Sequence, residues 1–182
     1  MKNSSEKVIY QKDVIEFVQV SVQYCALLEQ GAQSKRSELV DTLLKLMPLM
    51  YMKALLLPKV ESDGSFLPDE QVTEADYDFV RYGLADLLGN DDEYLEVVSD
   101  DLMQTDETGW KRISEQLADI YQPVRNFLAT YKEGVEDCMH DALWSVVDSF
   151  ELYWGECLVD ALRRLHRIKF AIKDSIDEDT EG

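Results

Sequence analysis

Three side chains near residue 140 have the types and spacing of a metal site in a helical protein. Asp137 and His140 are three residues apart, and Glu136 precedes His140 by four, so all three can project from adjacent turns of one helix. Helical bundles hold paired metal ions with Glu side chains and Glu-x-x-His pairs. Here the second pair is missing, because Arg163 stands three positions before His166. Glu136, Asp137 and His140 are therefore the metal candidates, although a solvated helix face with a hydrogen-bonded His140 is the favoured interpretation.

Signatures of nucleophilic and nucleotide-binding enzymes are missing. Cys138 and His140 lie two positions apart, which places them about 200° apart around a helix, so they cannot pair within it. The sequence contains no GxSxG, Walker A or GxGxxG motif. Oxygen ligands for calcium are present in residues 90–93, but they lack the spacing of an EF-hand loop. We therefore predict no catalytic residue and no cofactor, and carry a carboxylate and histidine metal enzyme as an alternative.

Carboxylates are concentrated in one segment. From Glu61 to Glu107 there are sixteen Asp and Glu residues and one basic residue, Arg81, in a chain whose formal net charge is −19. Such a field repels phosphate groups, so neither nucleic acid nor an anionic membrane is an expected partner. A basic protein is the favoured partner, and a narrower form of this hypothesis is a mimic of nucleic-acid charge. The competing interpretation is that the acidic faces only keep the protein soluble.

Two charged groups supply the candidate partner-binding residues. The acidic group is expected to tolerate replacement by Asn or Gln with loss of binding but not of the fold. The basic group lies near the C-terminus of the last helix, where the helix dipole favours cations. It could instead meet the acidic segment of another copy, which would give a homo-oligomer. The residues are Asp91, Asp92, Glu93 and Glu96 in the acidic group, and Arg163, Arg164 and Arg167 in the basic group.

Apolar spacing predicts the elements that carry these residues. Residues 8–29 alternate like a strand around Val20, but their apolar positions also follow a helical period, and we predict a helix. A second helix, capped by Ser34 or Ser37, runs to about Leu57. Stripes of apolar residues continue through Pro48 and through Pro123, which predicts kinks at these prolines. The expected fold is all-α, an antiparallel bundle of about five to six helices in a single domain, 1–182.

The middle of the chain has a loop and one ambiguous segment. Residues 58–72 combine two prolines, a glycine and scattered acids, and are predicted to be a mobile loop. Thr73 and Asp76 form a short capping box for the next helix, which ends at Gly89. Residues 91–103 fit either a short helix or a strand, and the sequence leaves this open.

The C-terminal half is predicted to be two long helices. The first is capped by Thr105 or Thr108, with a buried stripe that begins at Trp110. The second runs from Gly134 to about Lys173 with a bend near Gly155, and residues 174–182 form a frayed acidic tail.

The cysteines and the hydrophobicity pattern favour a soluble protein in a reducing compartment. The three cysteines are distant from one another and form no CxxC, so we interpret them as buried thiols in the cytoplasm. No signal sequence or membrane-spanning run is evident. Tyr153 and Trp154 are adjacent, so both cannot face fully inward from one helix.

Three stretches of sequence resemble a family of short bacterial proteins known only as a domain of unknown function. They are LMPLMYMKALLLP (46–58), ISEQLADIYQ (113–122) and YWGECLVDALRRLH (153–166). The resemblance implies an all-helical fold and carries no catalytic or binding residue over to this chain. A non-enzymatic cytoplasmic interaction module that uses the acidic surface of residues 61–107 is the favoured function. A small-molecule binder in the bundle is a further alternative.

Overall fold

Helices dominate the structure. The computed structural model describes residues 8–62, 64, 70–100 and 105–178, and for 97–100, 105–108 and 172–178 it describes the backbone alone. The helices are α1 Lys12–Glu29, α2 Arg36–Leu55, α3 Glu74–Leu88, α4 Ile113–Glu133, α5 Glu136–Ser149 and α6 Gly155–Glu178. Two strands, β1 Glu93–Asp100 and β2 Thr105–Arg112, form an antiparallel hairpin between α3 and α4. The predicted all-α bundle is therefore confirmed, with one small hairpin added to it.

The prediction of a helix for residues 8–29 is confirmed, because the buried residues of α1 recur every three or four positions. Phe17, Tyr24 and Leu28 lie in the core, which the helix shares with α2, α4 and α6. The Tyr24 hydroxyl donates to the Leu117 carbonyl at 2.9 Å, so the one polar atom of this buried ring is satisfied. The helical period outweighs the strand-like alternation because it alone places these large side chains on one face.

Pro48 and Pro123 lie inside helices, and the apolar stripes that contain them face the core. α2 continues through Pro48 and α4 through Pro123. The kinks remain a prediction. The residue before α2 is Lys35, whose side chain makes no capping hydrogen bond, so the prediction of a Ser34 or Ser37 cap is wrong.

The predicted capping box of α3 is confirmed. The Asp76 N–H donates to Thr73 Oγ1 at 3.2 Å, and the Thr73 N–H donates to Asp76 Oδ2 at 3.0 Å. The Thr73 hydroxyl also donates to Asp76 Oδ2, at 2.7 Å, and the hydrogen bonds that this carboxylate accepts from the Thr73 hydroxyl and N–H lower the pKa of Asp76. Gly89 follows the helix with a positive φ of 58°, a conformation that glycine adopts without strain.

The hairpin corrects two predictions. Within the segment 91–103 that the sequence left open, residues 93–100 are a strand and residues 101–103 lie outside the described residues. Residues 105–112 pair with this strand rather than begin a helix. Trp110 therefore lies in β2 and is 70% exposed instead of buried. The sequence TDETGWKR has no apolar alternation, so its strand conformation depends on backbone pairing with β1 and not on a buried face.

The predicted single C-terminal helix is divided. A π-helical turn, Phe150–Trp154, joins α5 to α6, next to the predicted bend at Gly155. α6 continues to Glu178, five residues past its predicted end, and residues 179–182 lie outside the described residues. The predicted loop 58–72 is only partly described, and residues 58–62 and 70–72 form no helix or strand. Among the described helices, none has both the length and the hydrophobicity to cross a membrane.

Candidate functional site

The hairpin has an inner face that packs on α4 and α6. Because side chains alternate along a strand, Tyr94, Glu96 and Lys111 lie on this inner face. The Tyr94 hydroxyl donates to Gln116 Oε1 at 2.8 Å, and the Arg164 guanidinium lies 3.9 Å from the centre of the Tyr94 ring. Tyr94 is therefore held between α4 and α6, and it fixes the hairpin to the bundle.

Four charges on the inner face and α6 form one network. Glu96 pairs with Lys111 on the opposite strand and with Arg163 at 3.0 Å. Lys111 also contacts Asp160, at 3.4 Å. The hydrogen bond from Lys111 lowers the pKa of Glu96, and the same bond raises the pKa of Lys111. The predicted acidic and basic groups therefore meet within one chain.

Asp92 joins the base of the hairpin to the start of α4. Its carboxylate accepts hydrogen bonds from the Ser114 N–H and the Ser114 hydroxyl, each at 2.7 Å. Its carbonyl accepts from the Ile113 N–H at 2.9 Å. The residue is 4% exposed, so Asp92 satisfies first-turn donors of α4 and cannot be reached by a partner.

The other predicted partner-binding residues are also used within the chain, with one exception. Asp91 pairs with Arg36, and Glu93 pairs with Arg112, whose Nε donates at 2.9 Å. Arg164 donates to the Leu95 carbonyl at 3.3 Å. Arg167 is exposed and has no ionic partner among the described side chains. Except for Arg167, each predicted partner-binding residue therefore has a contact within the chain.

The metal candidates do not converge. Asp137 is exposed and His140 is half-buried, while Glu136 accepts a long hydrogen bond of 3.4 Å from the Tyr10 hydroxyl. Within the described ranges, no group of three or more His, Cys, Asp or Glu side chains could hold a metal ion.

A cleft of about 330 Å³ lies beside β2, and we call it the hairpin cleft. Its floor comes from α4 and from the start of α6, and three consecutive residues of β2 form one wall. Trp110 is 70% exposed and Tyr153 is 54% exposed. The lining residues are Trp110, Lys111, Arg112, Glu115, Gln116, Asp119, Tyr153, Glu156, Cys157 and Asp160.

Asp119 organises the polar part of the cleft. The Tyr77 hydroxyl donates to Oδ1 at 2.7 Å, and the Tyr153 hydroxyl donates to Oδ2 at 2.6 Å. The hydrogen bond to Asp119 raises the pKa of Tyr153, and burial raises that of Tyr77. Burial also raises the pKa of the Cys157 thiol. The phenols and the thiol therefore keep their protons at neutral pH, which suits positioning and binding rather than proton transfer or nucleophilic attack.

The π-helical turn sets the directions of two adjacent aromatic rings. Trp154 is fully buried, and its indole N–H donates to the Val146 carbonyl at 3.0 Å. Tyr153 points instead to Asp119. A Cβ at position 155 would lie 2.7 Å from the Phe150 carbonyl oxygen, so only glycine fits this turn without a shift of the backbone. The expectation that Tyr153 and Trp154 cannot both face inward agrees with this arrangement.

A second opening, of about 800 Å³, lies between the start of α2 and α6. Arg36, Asp91, Asp41 and Lys169 line it, and they form ion pairs with one another. These four charges are therefore paired within the chain.

Sequence reasoning missed the hairpin cleft. Glu115 and Asp119 are four residues apart, a spacing that places two residues on one helix face. Trp110 in β2 and Tyr153 in the π-helical turn join that face only through the tertiary fold, so no local spacing could have found the set.

Comparison with known proteins agrees with this fold. No curated protein is significantly similar to the chain. The crystal structure of protein BF1032 from Bacteroides fragilis, a structural genomics target, matches with a TM-score of 0.80 and 41% sequence identity, over 90% of this chain and 96% of that chain. The profile of the family described as domain of unknown function DUF5063 matches residues 8–171. This chain belongs to that family.

Proposed function

We propose that this protein is a non-enzymatic cytoplasmic interaction module that binds a basic partner protein through the hairpin cleft. The single observation that carries the proposal is the exposure of Trp110, 70% of whose surface is open to solvent beside the carboxylates of the cleft. Tryptophan is enriched among the residues that dominate binding energy at protein interfaces. Large exposed apolar side chains with a polar rim are typical of interaction sites.

Charge supports a basic partner. Four carboxylates and two cations line the cleft, and both cations are engaged by carboxylates of this chain. The acidic segment 61–107 adds a long-range field that attracts cations and speeds association. Binding of this kind weakens as salt screens the charges.

The chemistry of the cleft supports binding over catalysis. Asp119 already accepts two phenol hydrogen bonds, and those phenols and the Cys157 thiol have raised pKa values. Protonated groups joined by these hydrogen bonds can keep the hairpin cleft rigid around a ligand.

The test is affinity capture from a lysate of the cells that make this protein, at low and at high salt. The wild type is compared with Trp110→Ala, and Phe79→Ala is the matched control because Phe79 is an equally open aromatic, 63% exposed, on α3. We expect a stoichiometric basic protein that the wild type and Phe79→Ala retain at low salt. Trp110→Ala should lose it.

Capture of nothing at either salt concentration would overturn the interaction function. Equal capture by the wild type and Trp110→Ala would remove the hairpin cleft from it.

A further inference from the structure

The two edges of the hairpin differ in what covers them. Opposed residues in an antiparallel pair alternate between hydrogen-bonded and non-hydrogen-bonded pairs. The Ile113 N–H donates to the Asp92 carbonyl, and the register then pairs Glu93 with Arg112 and Leu95 with Trp110. The pair Leu95–Trp110 is therefore non-hydrogen-bonded, and the backbone groups of both residues point away from the hairpin.

Among the described residues, the β1 edge is covered at Leu95 and the β2 edge is open at Trp110. On β1, the outward carbonyl of Leu95 accepts a hydrogen bond from Arg164. On β2, the outward N–H and carbonyl of Trp110 have no partner within the described part of the chain. An open strand edge is a template for pairing with another extended chain. The open edge is also the one that borders the hairpin cleft.

We propose that the β2 edge takes up an extended, basic segment of the partner protein as a third strand, with a lysine or arginine side chain in the hairpin cleft. This inference rests on the proposed function and names the form of its partner. Strand addition draws affinity from main-chain hydrogen bonds and specificity from pockets for alternate side chains. Here the cleft is the pocket next to the edge.

The cleft is built to receive a cationic side chain. Trp110 and Tyr153 line it, and aromatic faces attract ammonium and guanidinium groups. Glu156 is exposed and has no ionic partner among the described side chains, so its carboxylate is open to such a group. A volume of about 330 Å³ is at the lower end of the range for ligand pockets and suits a side chain better than a larger molecule.

Charge argues against a second copy as the occupant. From Glu93 to Arg112 the hairpin sequence has six acidic residues and two basic residues, Lys111 and Arg112, a net charge of −4. Two hairpins of the same negative net charge repel each other at long range, which disfavours a second copy. A basic segment gains from the same charges.

The test is a selection of binding peptides from a pool of random twelve-residue sequences on the intact protein. Thr108→Pro is the decisive variant, because the register places the Thr108 N–H on the outer side of β2 and proline is tolerated at such edge positions. Val97→Pro is the matched control, since it makes the same change on the β1 edge. Thermal unfolding checks that both variants fold.

We expect selected peptides rich in lysine and arginine that bind the wild type and Val97→Pro equally. Thr108→Pro should bind them roughly three- to tenfold more weakly, the effect of losing one main-chain hydrogen bond. Glu156→Gln should weaken binding less. Slower hydrogen exchange at the Trp110 N–H in the bound state would report the new strand directly.

Equal binding by Thr108→Pro, with loss in Trp110→Ala, would overturn strand addition and leave the interaction function intact. Selection of acidic peptides, or of none, would overturn the basic strand. A dimer that sediments in the wild type and dissociates in Thr108→Pro would identify a second copy as the occupant and overturn the assignment to a partner.

Discussion

The two faces of the hairpin differ in what their side chains contact. On the inner face, Tyr94, Glu96 and Lys111 are engaged by α4 and α6. On the outer face, Leu95 and Trp110 lie directly opposite each other and are 50% and 70% exposed. Alternate residues of the same strands thus contact the bundle or face solvent. A substitution one position further along a strand should therefore separate effects on stability from effects on the proposed binding.

The largest difference is expected between neighbours in β1. Tyr94→Ala removes a buried ring and its hydrogen bond to Gln116, and should lower the free energy of unfolding by about 3 kcal/mol. Leu95→Ala, on the outer face, should lower it by less than about 0.5 kcal/mol. Chemical denaturation of both variants measures the contrast. Equal losses would mean that the two faces are not distinct.

The next difference lies at the base of the hairpin. Asp92→Ala leaves the buried Ser114 N–H without its acceptor and should cost about 2 kcal/mol. Asp91→Ala breaks an exposed ion pair with Arg36 and should cost about 0.5 kcal/mol. Denaturant midpoints compare the two. A small effect at Asp92 would show that α4 does not depend on the hairpin for its cap.

A smaller, pH-dependent difference is expected between two glutamates. Glu96→Gln should cost about 1 kcal/mol at pH 7. Lys111 lowers the pKa of Glu96, so this stabilisation is present above pH 4.5, the ordinary value, and is lost as the pH falls through the lowered pKa.

Unfolding temperatures of the wild type and Glu96→Gln should therefore converge as the pH falls below about 4.5 and through the lowered pKa of Glu96. Glu93→Gln, which changes an exposed pair on the outer face, is the control and should shift the unfolding temperature less. A constant gap across this pH range would contradict the assignment.

The smallest effect on stability is expected at Trp110. Trp110→Phe should change the free energy of unfolding by less than about 0.5 kcal/mol, yet remove the larger part of the acrylamide-accessible tryptophan fluorescence, because Trp154 is fully buried and Trp144 is half-buried. Trp154→Phe, the control, should keep the accessible emission and lower stability. If quenching is unchanged in Trp110→Phe, the outer face is not open to solvent.

The helices could be predicted because their signals are local or strictly periodic. The apolar residues of α1 and α4 recur at helical spacing, so the sequence alone indicates which face of each helix is buried. Thr73 and Asp76 form a capping box within four residues of sequence. β2 gave no such signal, because its strand is held by backbone bonds to β1 and its inner-face charge, Lys111, pairs with Glu96 and Asp160.

The candidate site was beyond prediction for a related reason. Asp119 meets Tyr153 across 34 positions of sequence and Tyr77 across 42. Glu96 and Arg163, both chosen as candidates for external binding, are 67 positions apart and pair with each other. The sequence indicates that such residues favour oppositely charged neighbours. Only the tertiary fold determines whether those neighbours belong to the same chain.

The direct join between β2 and α4 has a mechanical consequence. Arg112 ends the strand and Ile113 begins the helix, so no flexible residue separates them. β2 is about 27 Å long, at 3.4 Å per residue, and its end at Arg112 is fixed by the hydrogen bonds between Asp92 and Ser114. A force on the other end of β2 should therefore act on the first turn of α4 and, through that helix, on the bundle.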